Sequence, residues 1–281
     1  MSILERRMIE VDGATLEIFV SGDHGPVICE AHPYGGYTGQ LADWDHRPAA
    51  ARLVQVNGRG AGSSSRGRDA LHYSFGRFVD DLEAVRRELG GDRWLFMSDS
   101  AGVYASVHYA LRYPHALRGL ITGFLGPNLR RIVDDPRSVA SAAHPSNQQL
   151  LATVPRPEPV DGASDFSGWA RVGDNLWIWY EHDRPVGIWP FDLAEHQRAY
   201  MAEMLTRPVD KQLDTIMVPA LIFAGRYDPL APLPYVEVLR SIPGSEFVVL
   251  ECGHADMDEG YDLGTYQATL QRFLTEHSLS E

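Results

Sequence analysis

The sequence predicts an α/β fold in which an eight-stranded, mostly parallel sheet carries helices on both faces and a helical insertion follows the sixth strand. Three observations predict it. Short apolar runs alternate with amphipathic stretches, as strand–helix–strand crossovers require. The interior runs are apolar throughout, so neither face of the sheet is left to water. From residue 126 to 212 the alternation breaks, with prolines at 155, 157 and 159 and aromatics crowding 166–200. Residues 1–125 and 213–281 are therefore expected to form the core, and 126–212 a lid.

The first two strands, 7–11 and 14–21, meet at Asp12-Gly13, a hairpin signal. Runs at 27–31, 53–57, 94–98, 117–123, 220–224 and 246–250 complete the eight. Between them, residues 75–89 set Phe75, Phe78, Val79, Leu82, Val85 and Leu89 on one stripe, and Gly90-Gly91 stops the helix. A helix over 101–113 ends before Pro114, because the residue preceding a proline is pushed out of the helical region. Helices over 234–241 and 263–277 close the set.

Composition narrows the function. The 281 residues carry a formal net charge of −13 and no basic run of five, so phosphate backbones are repelled and nucleic acid is not an expected partner. Lys211 is the only lysine, against twenty-four arginines, which leaves little room for Schiff-base chemistry. No apolar run approaches the roughly 20 residues that span a bilayer, and no signal-like apolar region follows Met1. The expectation is a cytoplasmic protein without a membrane partner. Cys29 and Cys252 fall in or beside apolar strands and read as small buried hydrophobes. No metal-type spacing links the histidines, so neither metal nor cofactor is expected.

The chemistry-bearing segment is Ser98-Asp99-Ser100-Ala101-Gly102, which joins the strand 94–98 to the helix 101–113 with no intervening loop. Such a corner forces its central residue into strained geometry and lifts the side chain clear of the sheet. Small residues are needed two positions to either side, and Ser98 and Gly102 supply them. Ser100 then stands at a helix N-terminus, where free amides favour developing negative charge.

In this the segment resembles the G-x-S-x-G elbow of the α/β-hydrolase family, with Ser98 in place of the first glycine. Asp99 takes a position where the esterase branch carries Asp or Glu, and reads as structural. The resemblance implies a chain order of nucleophile, acid and base. The strand 220–224 leads to Asp228 and the strand 246–250 to His254, both at C-terminal strand ends. The loop after the sixth strand, which holds the acid in some relatives, contains no carboxylate here. Ser100, Asp228 and His254 are thus the expected catalytic residues. Asp256, Asp258 and Glu259 are read as caps of the last helix.

Two further segments resemble the family. His32-Pro33-Tyr34-Gly35-Gly36 matches its H-G-x oxyanion segment, which makes the amides of Tyr34 and Ala101 the expected oxyanion donors; Pro33 has no N–H to give. Asn57-Gly-Arg-Gly-Ala-Gly-Ser-Ser64 resembles the D-x-R-G-x-G-x-S turn of lid-bearing members, with Asn57 replacing the aspartate, and it lacks the lysine of a phosphate loop.

For substrate, the lid aromatics are the clue. Trp169, Trp177, Trp179, Trp189, Phe166, Tyr180 and Phe191 fall within 26 residues, and ligand pockets are mostly apolar. The reading is a serine hydrolase acting on a small to medium hydrophobic ester, lactone or amide, with His32, Trp177, Trp179 and Trp189 as substrate-binding residues. The layout is similar to the proline-iminopeptidase-like subgroup, although its H-G-G-P-G and G-G-S-W-G signatures are absent. Two alternatives stay open: a lyase or cyclase running on the same three residues, and a ligand-sensing pseudoenzyme. An aspartate-nucleophile mechanism is disfavoured because the corner residue is serine.

Overall fold

The computed structural model describes residues 4–22, 25–40, 51–154, 166–254 and 263–279. The first strands are β1 (Glu5–Val11), β2 (Ala14–Ser21), β3 (Val27–His32), β4 (Arg52–Asn57), β5 (Trp94–Met97) and β6 (Leu117–Gly123). Between them run α1 (Phe75–Glu88) and α2 (Gly102–Arg112). After β6 come α3 (Leu129–Asp134), α4 (Pro145–Leu151), β7 (Gly168–Val172), β8 (Leu176–Glu181), β9 (Arg184–Trp189) and α5 (Glu195–Thr206). The chain returns through β10 (Ala220–Gly225), α6 (Leu233–Val236), β11 (Glu246–Leu250) and α7 (Leu263–Glu276).

Among the described residues, eight strands pair in the order β1-β2-β4-β3-β5-β6-β10-β11, and β2 alone runs against the rest. Alternation along the strands splits the core into two layers, since neighbouring residues point to opposite faces. Ile18, Cys29, Val54, Phe96 and Ile222 face α1 and α2. Phe19, Ile28, Leu53, Leu95 and Leu221 face α7, which presents Tyr266, Leu270 and Phe273. Both cysteines are buried, and neither is in a disulfide. The strand order reverses at β3, from which the chain moves outward to β4 and then back across to β5. Loops leaving β3 and β5 therefore diverge and open a crevice at the carboxyl ends of the strands.

The described part of 126–212 departs from the helical reading. It holds α3, α4 and α5, but also an antiparallel meander of β7, β8 and β9. The sequence Leu-Trp-Ile-Trp-Tyr at 176–180 is β-branched and aromatic at every second or adjacent position, which suits a pleated surface better than a helix. His182 and Asp183 turn the hairpin with φ of 48° and 60°, the left-handed values that a tight hairpin turn needs. The prolines at 155, 157 and 159 lie outside the described residues. The expected helix over 234–241 is broken into α6 and a 3-10 turn, Glu237–Ser241. No helix among the described residues is long and apolar enough to cross a membrane.

Candidate active site

The corner after β5 has the geometry that its sequence demands. Ser100 sits at φ 48°, a left-handed conformation costing about 1–3 kcal/mol in a residue with a side chain. Its N–H donates to Gly123 O at 2.9 Å, and its carbonyl accepts from Val103 N at 3.0 Å as α2 begins. The Ala101 amide has no acceptor among the described residues. Gly102 must lack a side chain, because a Cβ there would lie 2.9 Å from Ser98 Cβ. Ser98 itself is accommodated by a hydroxyl relay: its Oγ is 3.0 Å from Thr122 Oγ1, which is 3.2 Å from Ser106 Oγ.

Asp228 and His254 come from loops that follow β10 and β11, and the two loops are laced together. Arg226 N donates to Leu250 O at 2.9 Å and Tyr227 N to Cys252 O at 3.0 Å. They pass so closely that a Cβ on Gly225 would sit 2.1 Å from Gly253 O. Asp228 Oδ1 accepts from the amides of Leu230 and Ala231, each at 2.8 Å. Its Oδ2 is 2.7 Å from His254 Nδ1, and His254 Nε2 is 2.8 Å from Ser100 Oγ. The three residues therefore form one continuous hydrogen-bonded line. The Asp228 side chain is 1% exposed and that of His254 19%, so the carboxylate is dry while the imidazole reaches the cavity. Asp256, Asp258 and Glu259 lie outside the described residues.

The segment after β3 is held from several sides. Tyr34 N donates to His32 Nδ1 at 3.2 Å, and Gly35 N to His32 O at 2.9 Å. Asn57 Oδ1 accepts from Gly36 N at 3.1 Å and Tyr37 N at 3.0 Å, while its Nδ2 donates to Glu17 Oε2 and Tyr37 O, both at 2.9 Å. This explains the missing aspartate. Residue 57 must donate as well as accept, and the carboxylate is supplied by Glu17. Burial raises the Glu17 pKa, but hydrogen bonds from Ser63, Arg6 and Asn57 outweigh it and hold the carboxyl below its ordinary value. Burial pushes the His32 imidazole below its ordinary pKa, against the pull of the Asp99 carboxylate, so the neutral ring keeps Nδ1 as an acceptor.

A cavity of about 570 Å³ opens on Ser100 and His254. Its wall is largely apolar and includes Leu125, Leu129, Ile188, Trp189, Met201 and Met204, with Ser146 and Asn147 at one side. Of the four residues expected to meet substrate, Trp189 lies here. Trp177 and Trp179 do not: they share one face of β8 and pack edge-to-face on Trp169, at 6.4 and 5.2 Å between ring centres. Arg198 covers the Trp177 ring at 4.3 Å. His32 lines a separate cavity of about 260 Å³ behind the corner, with Glu30, Tyr37, Asp99 and Tyr266. Sequence reasoning missed Met201 and Met204, whose helix carries no aromatic signal on its cavity side. It also missed His196, whose Nε2 donates to Tyr34 O at 3.2 Å. Among the described residues no group of three or more His, Cys, Asp or Glu side chains is arranged to hold a metal ion.

No family model matches the chain. Curated relatives do: it is 25% identical over 240 residues to a proline iminopeptidase of Saccharolobus solfataricus, covering 77% of this chain and 74% of the relative. It is also 25% identical over 259 residues to a probable proline iminopeptidase of Leptolyngbya boryana, covering 82% and 80%. Among solved structures, an alpha/beta fold family hydrolase from Bacillus anthracis superposes with a TM-score of 0.70 at 16% identity, covering 98% of this chain and 100% of that one. The enol-lactonase from Burkholderia xenovorans gives 0.62 at 19% identity, covering 96% and 100%.

Proposed function

We propose that this chain, which has the α/β-hydrolase fold of its hydrolase relatives, is a serine hydrolase cleaving a small to medium hydrophobic ester, lactone or amide through an acyl-enzyme on Ser100. The observation that carries this reading is the unbroken line from Ser100 Oγ through His254 to Asp228 at the floor of an apolar cavity.

In the proposed cycle His254 Nε2 takes the Ser100 proton as Oγ bonds to the substrate carbonyl carbon. Asp228 keeps the other ring proton on Nδ1 and stabilises the imidazolium that results. Negative charge on the carbonyl oxygen is met by the amide of Ala101, which has no acceptor of its own among the described residues, and by that of Tyr34 once it gives up His32 Nδ1, each donor being worth about 2.7–4 kcal/mol of barrier when well aimed. Collapse breaks the bond to the leaving group, which departs with the proton from His254. Water then attacks the acyl carbon with His254 as base, and Ser100 is regenerated. Residues 126–212 act as a lid on the core of 1–125 and 213–281, and Trp189, Met201 and Met204 from that segment shape the acyl site.

Two observations bear on the bond cleaved. The sequence relatives are iminopeptidases, which favours an amide. The apolar cavity wall favours an uncharged acyl group, as in an ester or lactone. A panel of p-nitrophenyl esters, lactones and arylamides of graded size ranks them. Replacing Ser100 by Ala abolishes turnover on this reading, and one fluorophosphonate per chain labels the wild type at Ser100. Retained turnover in Ser100→Ala refutes the nucleophile. Incorporation of oxygen from labelled water separates hydrolysis from a lyase or cyclase step.

A further inference from the structure

We propose that Ser138, in the insertion between α3 and α4, is a positioning residue that fixes the Asp228 carboxylate through the backbone beside it; this rests on the acyl-transfer reading above. Asp228 Oδ1 accepts from Leu230 N and Ala231 N, each at 2.8 Å, which leaves Oδ2 for His254 Nδ1 at 2.7 Å. The torsion that swings an aspartate carboxyl is broad and roughly two-fold, so those two amides decide where Oδ2 points. Each amide belongs to a planar peptide unit, and the insertion holds both units by their carbonyl ends. Val139 N donates to Pro229 O at 2.8 Å, in the unit that carries the Leu230 amide. Ser138 Oγ donates to Leu230 O at 2.6 Å, in the unit that carries the Ala231 amide. Hydrogen bonds in such a chain polarise one another, so each carbonyl's donor also strengthens the amide across the same peptide.

The hydroxyl has little freedom to do otherwise. A carbonyl can only accept, so Ser138 spends its proton on Leu230 O. Its oxygen accepts in turn from Ala140 N at 3.3 Å, and the residue is fully buried. The segment around it is pinned on both sides. Ile188 N donates to Ala140 O at 2.9 Å and Ala142 N to Val186 O at 3.0 Å, which ties it to β9. Tyr235 of α6, just beyond the loop that carries Asp228, donates its hydroxyl to Asp135 Oδ2 at 2.8 Å. The Arg137 guanidinium holds the Asp135 carboxyl well below its ordinary pKa, so it stays an acceptor. Val139, Ala140, Pro229 and Leu230 all belong to the cavity wall, and Ser138 does not. Loss of its hydroxyl therefore disturbs the acid while leaving the substrate's contacts in place.

The test compares Ser138→Ala, which has no hydroxyl, with Ser138→Thr, which keeps one, and repeats Ser138→Ala in an Asp228→Asn background. Hydrolysis of a short p-nitrophenyl ester gives kcat and KM, and amide hydrogen exchange is followed at Leu230 and Ala231. Ser138→Ala is expected to lower kcat about tenfold, with KM within about twofold, and to speed exchange at the two amides about tenfold, as a buried carbonyl left without its donor implies. Ser138→Thr is expected to stay within about threefold of wild type in both. In the Asp228→Asn background the carboxylate is already gone. There Ser138→Ala is expected to change kcat by less than about twofold, because residues that act as a unit are not additive. An equal fall in both backgrounds makes Ser138 a packing residue and overturns the proposal, whether or not the Thr variant folds. So do unchanged kcat, unchanged exchange, a change in KM alone, or a folded Ser138→Thr as slow as Ser138→Ala. If the wild type turns over no substrate, the acyl-transfer reading fails and exchange alone decides: faster exchange in Ser138→Ala keeps the hold on Asp228, and unchanged exchange removes it.

Discussion

The hydroxyls of Ser98 and Thr122 lie 3.0 Å apart behind the Ser100 corner. That contact lets a serine stand at the first glycine position of the G-x-S-x-G pattern, because its polar group is satisfied inside the protein.

The same corner makes a coupled prediction. Gly102→Ala brings two Cβ atoms to 2.9 Å and should cost about 1–3 kcal/mol of stability by overpacking. Ser98→Gly should cost about 1 kcal/mol for the lost hydrogen bond. The double variant should be more stable than the sum implies, because the next contact of the new Cβ is His32 at 3.4 Å. Urea unfolding midpoints of the four proteins measure this coupling, and strict additivity would argue against the clash.

Asp228→Asn should leave KM near its wild-type value and lower kcat by about four orders of magnitude. The asparagine oxygen can keep the amides of Leu230 and Ala231. Its NH2 then faces His254 Nδ1 and forces the ring proton onto Nε2, which can no longer accept from Ser100. A loss below about a hundredfold would mean that the carboxylate is dispensable.

Asn57→Asp, the residue of the related pattern, should be harmful here. It sets a carboxylate where Nδ2 now lies 2.9 Å from Glu17 Oε2. Like charges at that distance cannot both ionise cheaply, so stability at pH 7 should fall on the order of 3 kcal/mol. The deficit relative to wild type should shrink towards pH 5, where the pair can share a proton. Adding Glu17→Gln should recover most of it at pH 7. Unfolding curves at the two pH values decide.

His108 should make the fold acid-sensitive. Burial pushes its pKa down to about 4, its ring stacks on Phe75 at 5.3 Å, and its Nε2 is buried without a hydrogen bond to any described residue. The folded form stays neutral while the unfolded form gains a proton below its ordinary pKa of about 6.5. The stability contributed is therefore complete above about pH 6.5 and lost as pH falls through about 4. His108→Phe should lose about 2 kcal/mol less than wild type between pH 7 and pH 4.5. An equal loss in both proteins would point to other groups.

Trp189→Leu should enlarge the acyl site and shift kcat/KM towards bulkier esters by about tenfold relative to short ones. Trp179→Phe should lower stability without moving that ratio, because Trp179 packs on Trp169 and not on the cavity.

The Ser100 corner was legible because its determinants are contiguous: a buried strand, an elbow and a helix within twenty residues of chain. Asp228 and His254 were legible because apolar runs mark where β10 and β11 end. The insertion was harder. Alternation showed that Trp177 and Trp179 share a face, but which face meets the cavity depends on how the three-stranded meander is docked. Trp189 pairs with Trp177 across the sheet and yet lies at the cavity.

By itself, then, the sequence determined the order of the eight strands of the main sheet and the helices α1, α2 and α7, the strained serine and the candidate acid and base, all properties of short segments whose periodicity and turn chemistry act locally. Only the tertiary structure decided that Asn57 takes its carboxylate from Glu17, that Gly225 must be bare beneath Gly253, and that His196 touches Tyr34. Each of these depends on two distant segments meeting at van der Waals range. Such meetings are set by the packing of whole layers, for which no residue's immediate neighbours in the chain carry a signal.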